Sequence, residues 1–253
     1  MTARIVSLVP SLTELLCELG LADQLVGRTG FCIHPKPVVA AIPKVGGTKS
    51  VDVDKLRALA PTHVVVNVDE NERDTVERIA QFVPNVLVTH PLRVEDNLAL
   101  YRRFGRVFGC EAQADALSQR LQQALQRVRA HRWPPQRVLY LIWKRPWMTV
   151  SRDTYIADVL AQVGWQAVAP PSAARYPEID WSRFDDRDCD WVLFSSEPYR
   201  FRDADRAAYA AERGRDPRTC VAIDGEMTSW YGSRAIEGLD YLARYREQLE
   251  RQS

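Results

Sequence analysis

The feature that most restricts the fold is one long, uninterrupted helical pattern near the middle of the chain. Between Glu111 and Arg132, apolar residues recur at three- and four-residue steps, and Gln and Arg fill the positions between them. The segment contains no Gly or Pro, so the pattern predicts a single amphipathic helix of about six turns. Pro134 and Pro135 end it, because proline lacks the N–H and disfavours helix in the preceding residue. We interpret this helix as a spacer between two lobes.

Before this helix, the chain alternates short apolar runs with helical segments. Strands are predicted at 4–9, 25–27, 43–45, 63–67 and 85–89, with helices in the intervals. Ser11 and Glu14 form a capping-box pattern, which predicts the start of the first helix. The run at 63–67 is almost continuously apolar, as is typical of a parallel strand covered on both faces. The order of elements therefore predicts an α/β lobe with a parallel sheet.

The second half of the chain repeats the pattern of the first. The alignment has no gap at an offset of 128 positions (180 − 52), and it pairs Asp52 with Asp180, Leu56 with Phe184, Val64 with Val192, Asn67 with Ser195 and Asp69 with Glu197. We therefore predict an N-terminal α/β lobe at 1–110, a linking helix at 111–133, a similar C-terminal lobe at 134–253 and a ligand cleft between the lobes. Because the helix has no flexible hinge, we expect little domain closure on binding.

Charge and cysteine content exclude several classes of protein. The net charge of +1 favours neither nucleic acid nor an anionic membrane as a partner, and no apolar run is long enough to span a bilayer. Five cysteines without a C-x-x-C pair argue against a disulfide framework. The first residues lack the apolar region of a signal peptide. As written, we expect a cytoplasmic monomer, or a periplasmic protein if a targeting segment is missing.

The loops at the carboxyl ends of the predicted strands contain the candidate ligand contacts, because ligands bind there in open parallel sheets. Aromatic residues are frequent in these loops, which suits a large, flat, partly apolar ligand. Alternatively, these rings pack the loops against the lobe. The candidate ligand-binding residues are Pro10, Ser11, Phe31, His34, Asn67, Glu70, Asn71, Trp143, Trp147, Glu197, Tyr199, Trp230 and Tyr231.

Metal-binding and catalytic signatures are weak in this sequence. Cys32 and His34 are two positions apart and His90 follows another strand, but the spacing of a zinc site is missing. Glu70, Glu197, Asp224 and Glu226 could serve acid–base chemistry if two of them met across the cleft, or they could accept hydrogen bonds from loop N–H groups or ligand amides. A nucleophile elbow, a Walker A motif and a dinucleotide-binding glycine motif are all missing from the sequence. We predict no metal-binding and no catalytic residue.

An ordered set of motifs resembles the helical-backbone substrate-binding proteins of ABC importers, most of all their vitamin B12-binding branch. The motifs are RIVSLVPSLTE from Arg4, VGGT from Val45, VVVN ending at Asn67, EN at Glu70, SSEPY from Ser195, and DGEM followed by SWYGS between Asp224 and Ser233. The resemblance covers nearly the whole chain. Its specificity lies in the order of the motifs, since each motif alone is common.

The resemblance implies two lobes joined by a rigid helix and a ligand that is passed to a permease. Members of this family carry cobalamin, haem or iron-siderophores. An acidic residue on each lobe docks to arginines of the transporter in such proteins. Glu72 matches the first position, and Asp203 or Asp205 is a candidate for the second.

The resemblance implies a non-enzymatic substrate-binding protein that holds cobalamin or a related corrinoid for an ABC importer. It implies no permanently bound cofactor, and haem or a ferric siderophore is the alternative ligand. A rival hypothesis is an enzyme or a cytosolic corrinoid-handling factor on the same scaffold, which would explain the strand-end carboxylates and the lack of an export signal. A sensing module that binds a partner protein is a third hypothesis.

Overall fold

The computed structural model describes residues 2–251, which form a series of β-strands and α-helices. The first half contains β1 (Ile5–Ser7), α1 (Pro10–Glu18), β2 (Leu25–Arg28), α2 (Lys36–Val39), α3 (Val53–Ala58), β3 (His63–Asn67), α4 (Arg73–Ala80), β4 (Asn85–Thr89), α5 (Asp96–Phe108) and α6 (Glu111–Ala130). The second half contains β5 (Gln136–Trp143), β6 (Met148–Thr149), α7 (Tyr155–Ala161), β7 (Trp165–Ala167), β8 (Trp191–Ser195), α8 (Asp203–Arg213), β9 (Cys220–Ile223), α9 (Gly225–Ser229) and α10 (Arg234–Glu250).

Two compact units make up the described part of the chain. Unit 1 comprises residues 2–91, 95–120 and 231–234, and unit 2 comprises residues 92–94, 121–230 and 235–251. Each unit has its own sheet with helices packed on it, so the architecture is the α/β class with two lobes that the sequence predicts. None of the helices in residues 2–251 has both the length and the apolar character needed to cross a membrane.

The sheet of unit 1 has four strands in the order β2-β1-β3-β4, all of them parallel. A parallel pair needs a crossover connection, which here is a helix. In β3, every residue from Val64 to Asn67 is buried, which explains its continuous apolar sequence. All carboxyl ends of these strands lie at the same edge of the sheet, where the loops with the candidate residues begin.

The sheet of unit 2 has the strand order β6-β5-β8-β9, and β7 also pairs with β5. Strands β5, β8 and β9 are parallel, whereas β6 runs antiparallel to β5. Strand β8 begins at Trp191 and β3 at His63, which is the predicted offset of 128 positions. The central strands of the two sheets are therefore equivalent, as the sequence alignment predicts.

Helix α6 confirms the long helix that is predicted between Glu111 and Arg132. Its bounds are Glu111–Ala130, and its buried side chains recur at three- and four-residue steps, as in Leu117, Leu121 and Val128. Its first half belongs to unit 1 and its second half to unit 2. The role of α6 as a rigid spacer, the interlobe cleft and the absence of closure stay predictions.

Residues 231–234 belong to unit 1, although the predicted boundaries place them in the C-terminal lobe. Tyr101 Oη donates to Gly232 O at 2.8 Å, and Gly232 N donates to Asn97 Oδ1 at 2.6 Å. Arg234 Nε donates to Glu14 Oε2 at 2.8 Å. These contacts join positions more than a hundred residues apart, which local sequence patterns do not reveal.

The predicted capping box at the start of α1 is wrong. The helix begins at Pro10, and its N-cap residue Val9 makes no side-chain capping bond. Proline is well suited to the first helical position, because its missing N–H would have no helical partner there. The carboxylate of Glu14 instead pairs with Arg234.

One other local prediction differs from the structure. Residues 43–45 form no strand, and Lys44 makes only an isolated bridge to Arg28. In unit 2, the segment between β5 and α7 contains the short strand β6, which pairs with β5. The segment after β9 folds into α9, where Asp224 Oδ1 accepts from Met227 N at 3.3 Å and so caps the helix.

Candidate functional site

In unit 1, Asn67 and Asn71 brace the turn that follows β3. Asn71 Oδ1 accepts from Asn67 N at 2.9 Å, and Asn71 Nδ2 donates to Thr48 O at 2.9 Å. Asn67 Oδ1 accepts from Asp69 N at 2.8 Å. Both amide side chains are buried, and their hydrogen bonds fix the loop backbone. They therefore position the residues between them, above all Glu70.

Glu70 and Tyr231 meet at the same edge of unit 1. Tyr231 Oη donates to Glu70 Oε1 at 2.8 Å, and the Tyr231 ring is buried whereas Glu70 is half-buried. Both residues are predicted ligand contacts, and the predicted domain boundaries place them in different lobes. Their contact fixes a polar group beside an aromatic ring.

Pro10 and Ser11 open α1 beneath the segment 231–234. Ser11 is buried, and its hydroxyl has no hydrogen-bond partner among residues 2–251. A Cβ atom on Gly232 would lie 3.3 Å from Ser11 O, so this glycine packs directly on the start of the helix. Pro10 is half-buried beside it.

The loop after β2 presents an exposed aromatic ring next to a buried thiol. Phe31 is 63% exposed, whereas Cys32 is fully buried with its Sγ 3.2 Å from Thr29 Oγ1. Burial raises the pKa of the Cys32 thiol, so this group is a neutral anchor for the loop. His34 is half-buried in the same loop. In the described part of the chain, no group of three or more His, Cys, Asp or Glu side chains could hold a metal ion.

In unit 2, Trp143 and Tyr199 form an aromatic pair at the ends of neighbouring strands. Their ring centroids are 5.5 Å apart at an interplanar angle of 72°, an edge-to-face contact. Trp143 is 40% exposed, which is unusual for a tryptophan at the end of a core strand. The pair presents a partly exposed apolar surface at this edge of the sheet.

Trp147 packs into the core of unit 2. Its ring stacks on Phe201, with centroids 5.9 Å apart and an interplanar angle of 6°, and it meets Tyr209 edge-on at 5.3 Å. The cluster beneath it includes the buried residues Phe194 and Tyr209. These contacts account for Trp147 as a structural residue, and its role as a ligand contact stays a prediction.

Glu197 receives two hydrogen bonds from the end of α9. Ser229 Oγ and Trp230 Nε1 both donate to Glu197 Oε1, at 2.8 Å and 2.7 Å. Burial raises the pKa of the Glu197 carboxyl, and the nearby carboxylates of Glu226 and Asp224 act in the same direction. The carboxylate thus holds the Trp230 indole in place.

A network of buried hydroxyls supports this carboxylate from below. Tyr140 Oη donates to Ser195 Oγ at 3.0 Å and lies 2.6 Å from Thr228 Oγ1, while Ser195 Oγ donates to Glu197 O at 2.7 Å. The sequence patterns do not single out Tyr140, Thr228 or Ser229 as site residues. Tyr140 looks like an ordinary strand residue in the sequence, and only the motif around Trp230 pointed towards the other two.

The three candidate docking acids differ in exposure. The Asp203 side chain is 97% exposed at the start of α8, and Glu72 is exposed before α4. Asp205 is only 16% exposed, and it accepts from Lys144 Nζ at 2.6 Å and from Arg202 N at 2.9 Å. The hydrogen bond from Lys144 lowers the pKa of Asp205. Asp205 is therefore engaged within its own unit.

Comparisons with known proteins agree with this architecture. The chain is 20% identical to the vitamin B12-binding protein of Pectobacterium atrosepticum over 183 residues, which are 70% of this chain and 65% of that protein. It is 22% identical to the vitamin B12-binding protein of Vibrio parahaemolyticus over 195 residues, which are 76% of this chain and 70% of that protein. The chain thus spans about two thirds of the length of the curated relatives it matches.

Two solved structures share the fold over almost the whole chain. The periplasmic vitamin B12 binding protein BtuF of Vibrio cholerae has a TM-score of 0.81 at 15% identity and covers 98% of both chains. The periplasmic haem-binding protein BhuT in complex with two haems has a TM-score of 0.84 at 20% identity and covers 98% of this chain and 99% of its own. A family profile described as "Periplasmic binding protein" matches residues 5–213, which is well over half of the sequence. The chain belongs to the periplasmic binding protein family.

Proposed function

We propose that this protein is a substrate-binding protein that holds cobalamin or a related corrinoid for an ABC importer. The observation that carries the proposal is the set of aromatic side chains beside the strand ends of each unit. Phe31 and Tyr231 stand there in unit 1, and Trp143 and Tyr199 stand there in unit 2. The vitamin B12-binding proteins among its relatives support this ligand.

The chemistry of these edges suits binding without reaction. Aromatic rings give a flat macrocycle a large contact area, and a few fixed polar groups orient its periphery. Glu70 and Glu197 supply hydrogen-bond acceptors, each held by an aromatic donor of its own unit. Asn67, Asn71 and Trp147 stabilise the loops in this proposal, because their contacts are directed into the protein. Haem is the alternative ligand, since similar structures include haem-binding proteins.

Glu72 and Asp203 are the residues that we propose for docking to the permease. Both carboxylates are exposed at the start of a helix, although Asp203 accepts from Arg206 Nη2 at 2.8 Å and Glu72 lies 3.9 Å from Lys49 Nζ. Asp205 is the weaker choice, because its side chain is only 16% exposed and its ion pair with Lys144 is shielded from solvent. On this proposal the protein meets its permease in the periplasm, the compartment that the family description names.

Quenching of intrinsic tryptophan fluorescence tests the proposed ligand directly. We expect saturable quenching by cyanocobalamin, with haemin and a ferric siderophore as comparators. Trp143→Ala should weaken cyanocobalamin binding, because it removes an exposed ring from the edge of unit 2. Val107→Ala, which also truncates an exposed apolar side chain, is the control and should bind like the wild type. Calorimetry showing no binding of cyanocobalamin and tight binding of haemin would replace the proposed ligand with haem, and no binding of either would refute the proposal.

A further inference from the structure

The two carboxylate oxygens of Glu197 have different surroundings. Oε1 accepts from both Ser229 Oγ at 2.8 Å and Trp230 Nε1 at 2.7 Å. Within residues 2–251, no donor forms a hydrogen bond to Oε2. A carboxylate has about four acceptor sites, so half of this group has no protein partner.

The position of Glu197 is fixed by close packing. A Cβ atom on Gly225 would lie 2.6 Å from Glu197 Cγ, so only glycine leaves room for the side chain. Gly225 N in turn donates to Ser196 Oγ at 2.8 Å, and Ser195 Oγ donates to the carbonyl of Glu197. Oε2 is therefore a pre-organised acceptor at the carboxyl end of β8, where ligands of parallel sheets bind.

The electrostatic surroundings of Glu197 favour a donor at Oε2. Burial raises the pKa of its carboxyl, and Glu226 and Asp224 raise it further, so the ionised form is poorly solvated. A ligand N–H group that donates to the ionised carboxylate compensates for this poor solvation. A ligand carboxylate at the same point would instead add electrostatic repulsion. Lys144, in the turn between β5 and β6, is paired with Asp205 at 2.6 Å.

We propose that Glu197 is a specificity-determining residue whose Oε2 accepts a hydrogen bond from a ligand N–H group. It selects a ligand periphery that carries carboxamides over one that carries carboxylates. This inference rests on the proposed function and deepens it, because a corrinoid with peripheral carboxamides offers such donors and the propionates of haem do not. Ser229 and Trp230 act through Glu197, as positioning residues.

The test compares cyanocobalamin with its monocarboxylates, in which one peripheral carboxamide is hydrolysed to a carboxylate on the same ring. Dissociation constants are measured by calorimetry for the wild type, Glu197→Gln and Arg145→Gln. Arg145 is the matched control, because it is exposed in the turn between β5 and β6 and carries the opposite charge. Glu212→Gln, an exposed site on α8, controls for the change in net charge.

We expect at least one monocarboxylate isomer to bind the wild type about 10- to 100-fold more weakly than cyanocobalamin, the range expected for a hydrogen bond to a charged group. Glu197→Gln should reduce this ratio to within about threefold for that isomer, because a neutral amide no longer repels the carboxylate and can donate to it. Arg145→Gln and Glu212→Gln should leave the ratio unchanged. The ratio is independent of the active fraction of each sample, so partial unfolding of a variant does not obscure the result.

The possible results separate this inference from the proposed function. If wild-type protein binds cyanocobalamin but all ratios are the same in Glu197→Gln, the role of Glu197 is overturned and the proposed function stands. If the wild type binds no cyanocobalamin, the proposed function fails and the inference fails with it. A ratio that changes equally in Arg145→Gln or Glu212→Gln would show a general charge effect and overturn the assignment to Glu197.

Discussion

Gly238→Ala is the substitution whose effect depends most clearly on tertiary packing. Gly238 lies in α10, and a Cβ atom there would come well within 3.0 Å of the carbonyl oxygen of Met227 in α9. The obstacle is a backbone atom, so rotation of a side chain does not relieve the contact. In sequence terms alone, alanine should improve the helix, because glycine is the poorer helix former.

The two effects oppose each other, and their magnitudes decide the sign. The gain in helix propensity is about 1 kcal/mol. Overpacking of a tight contact costs about 1–3 kcal/mol, and a rigid carbonyl places this site at or above the upper end of that range. We therefore expect a net loss of about 2 kcal/mol in the free energy of unfolding, or a fall in Tm of about 4–8 °C.

The same substitution should also weaken ligand binding. Met227 precedes Ser229 and Trp230, which hold the carboxylate of Glu197, so a displaced α9 misplaces this group. Thermal and urea denaturation measure the stability, and the fluorescence titration measures the affinity. Gly30→Ala is the control, since the nearest atom to its Cβ would be 3.7 Å away. A Tm for Gly238→Ala equal to or above that of the wild type would refute the reasoning.

Three further predictions follow from buried polar groups. Burial raises the pKa of Cys17 to about 11, so little reactive thiolate is present at pH 7.5. Ellman's reagent should therefore label the native protein slowly and should reach all five thiols only after unfolding. Rapid labelling of the native protein would contradict this prediction. Tyr101→Phe removes the hydrogen bond to Gly232 O and should lower the free energy of unfolding by about 1 kcal/mol in urea titrations, and an unchanged midpoint would argue against that bond. The folded-state pKa of Glu197 is raised above the ordinary value of 4.5, so its contribution to stability is present at low pH and is lost as pH rises through the folded pKa. The affinity for cyanocobalamin should instead fall as pH drops through that pKa, because protonation removes the acceptor. Glu197→Gln should abolish this pH dependence of the affinity. If the variant keeps the pH dependence, another group is responsible for it.

The sequence predicted the regular elements well where the signal was local. Helix α6 follows from apolar spacing and from the prolines that come after it, and both are read within a short window. Strand β3 follows from a continuous apolar run, and the offset of 128 positions places β8 at the equivalent point of the second lobe. The capping box at Ser11 was wrong because Pro10 already satisfied the helix start, a competing local signal.

The sequence by itself determined the α/β class, the two similar halves and the edge of each sheet where candidate residues gather. These depend on periodicity and chain breakers, which act over a few residues. Only the tertiary structure decided that Tyr231 bonds Glu70, that Trp230 bonds Glu197 and that Trp147 turns into the core. The periodicity of apolar residues predicts which face of a helix or strand is buried. The hydrogen-bond partner of a polar side chain depends instead on which distant segment of the chain packs against it. For that reason the asymmetric surroundings of the Glu197 carboxylate, on which the proposed ligand contact rests, became visible only in three dimensions.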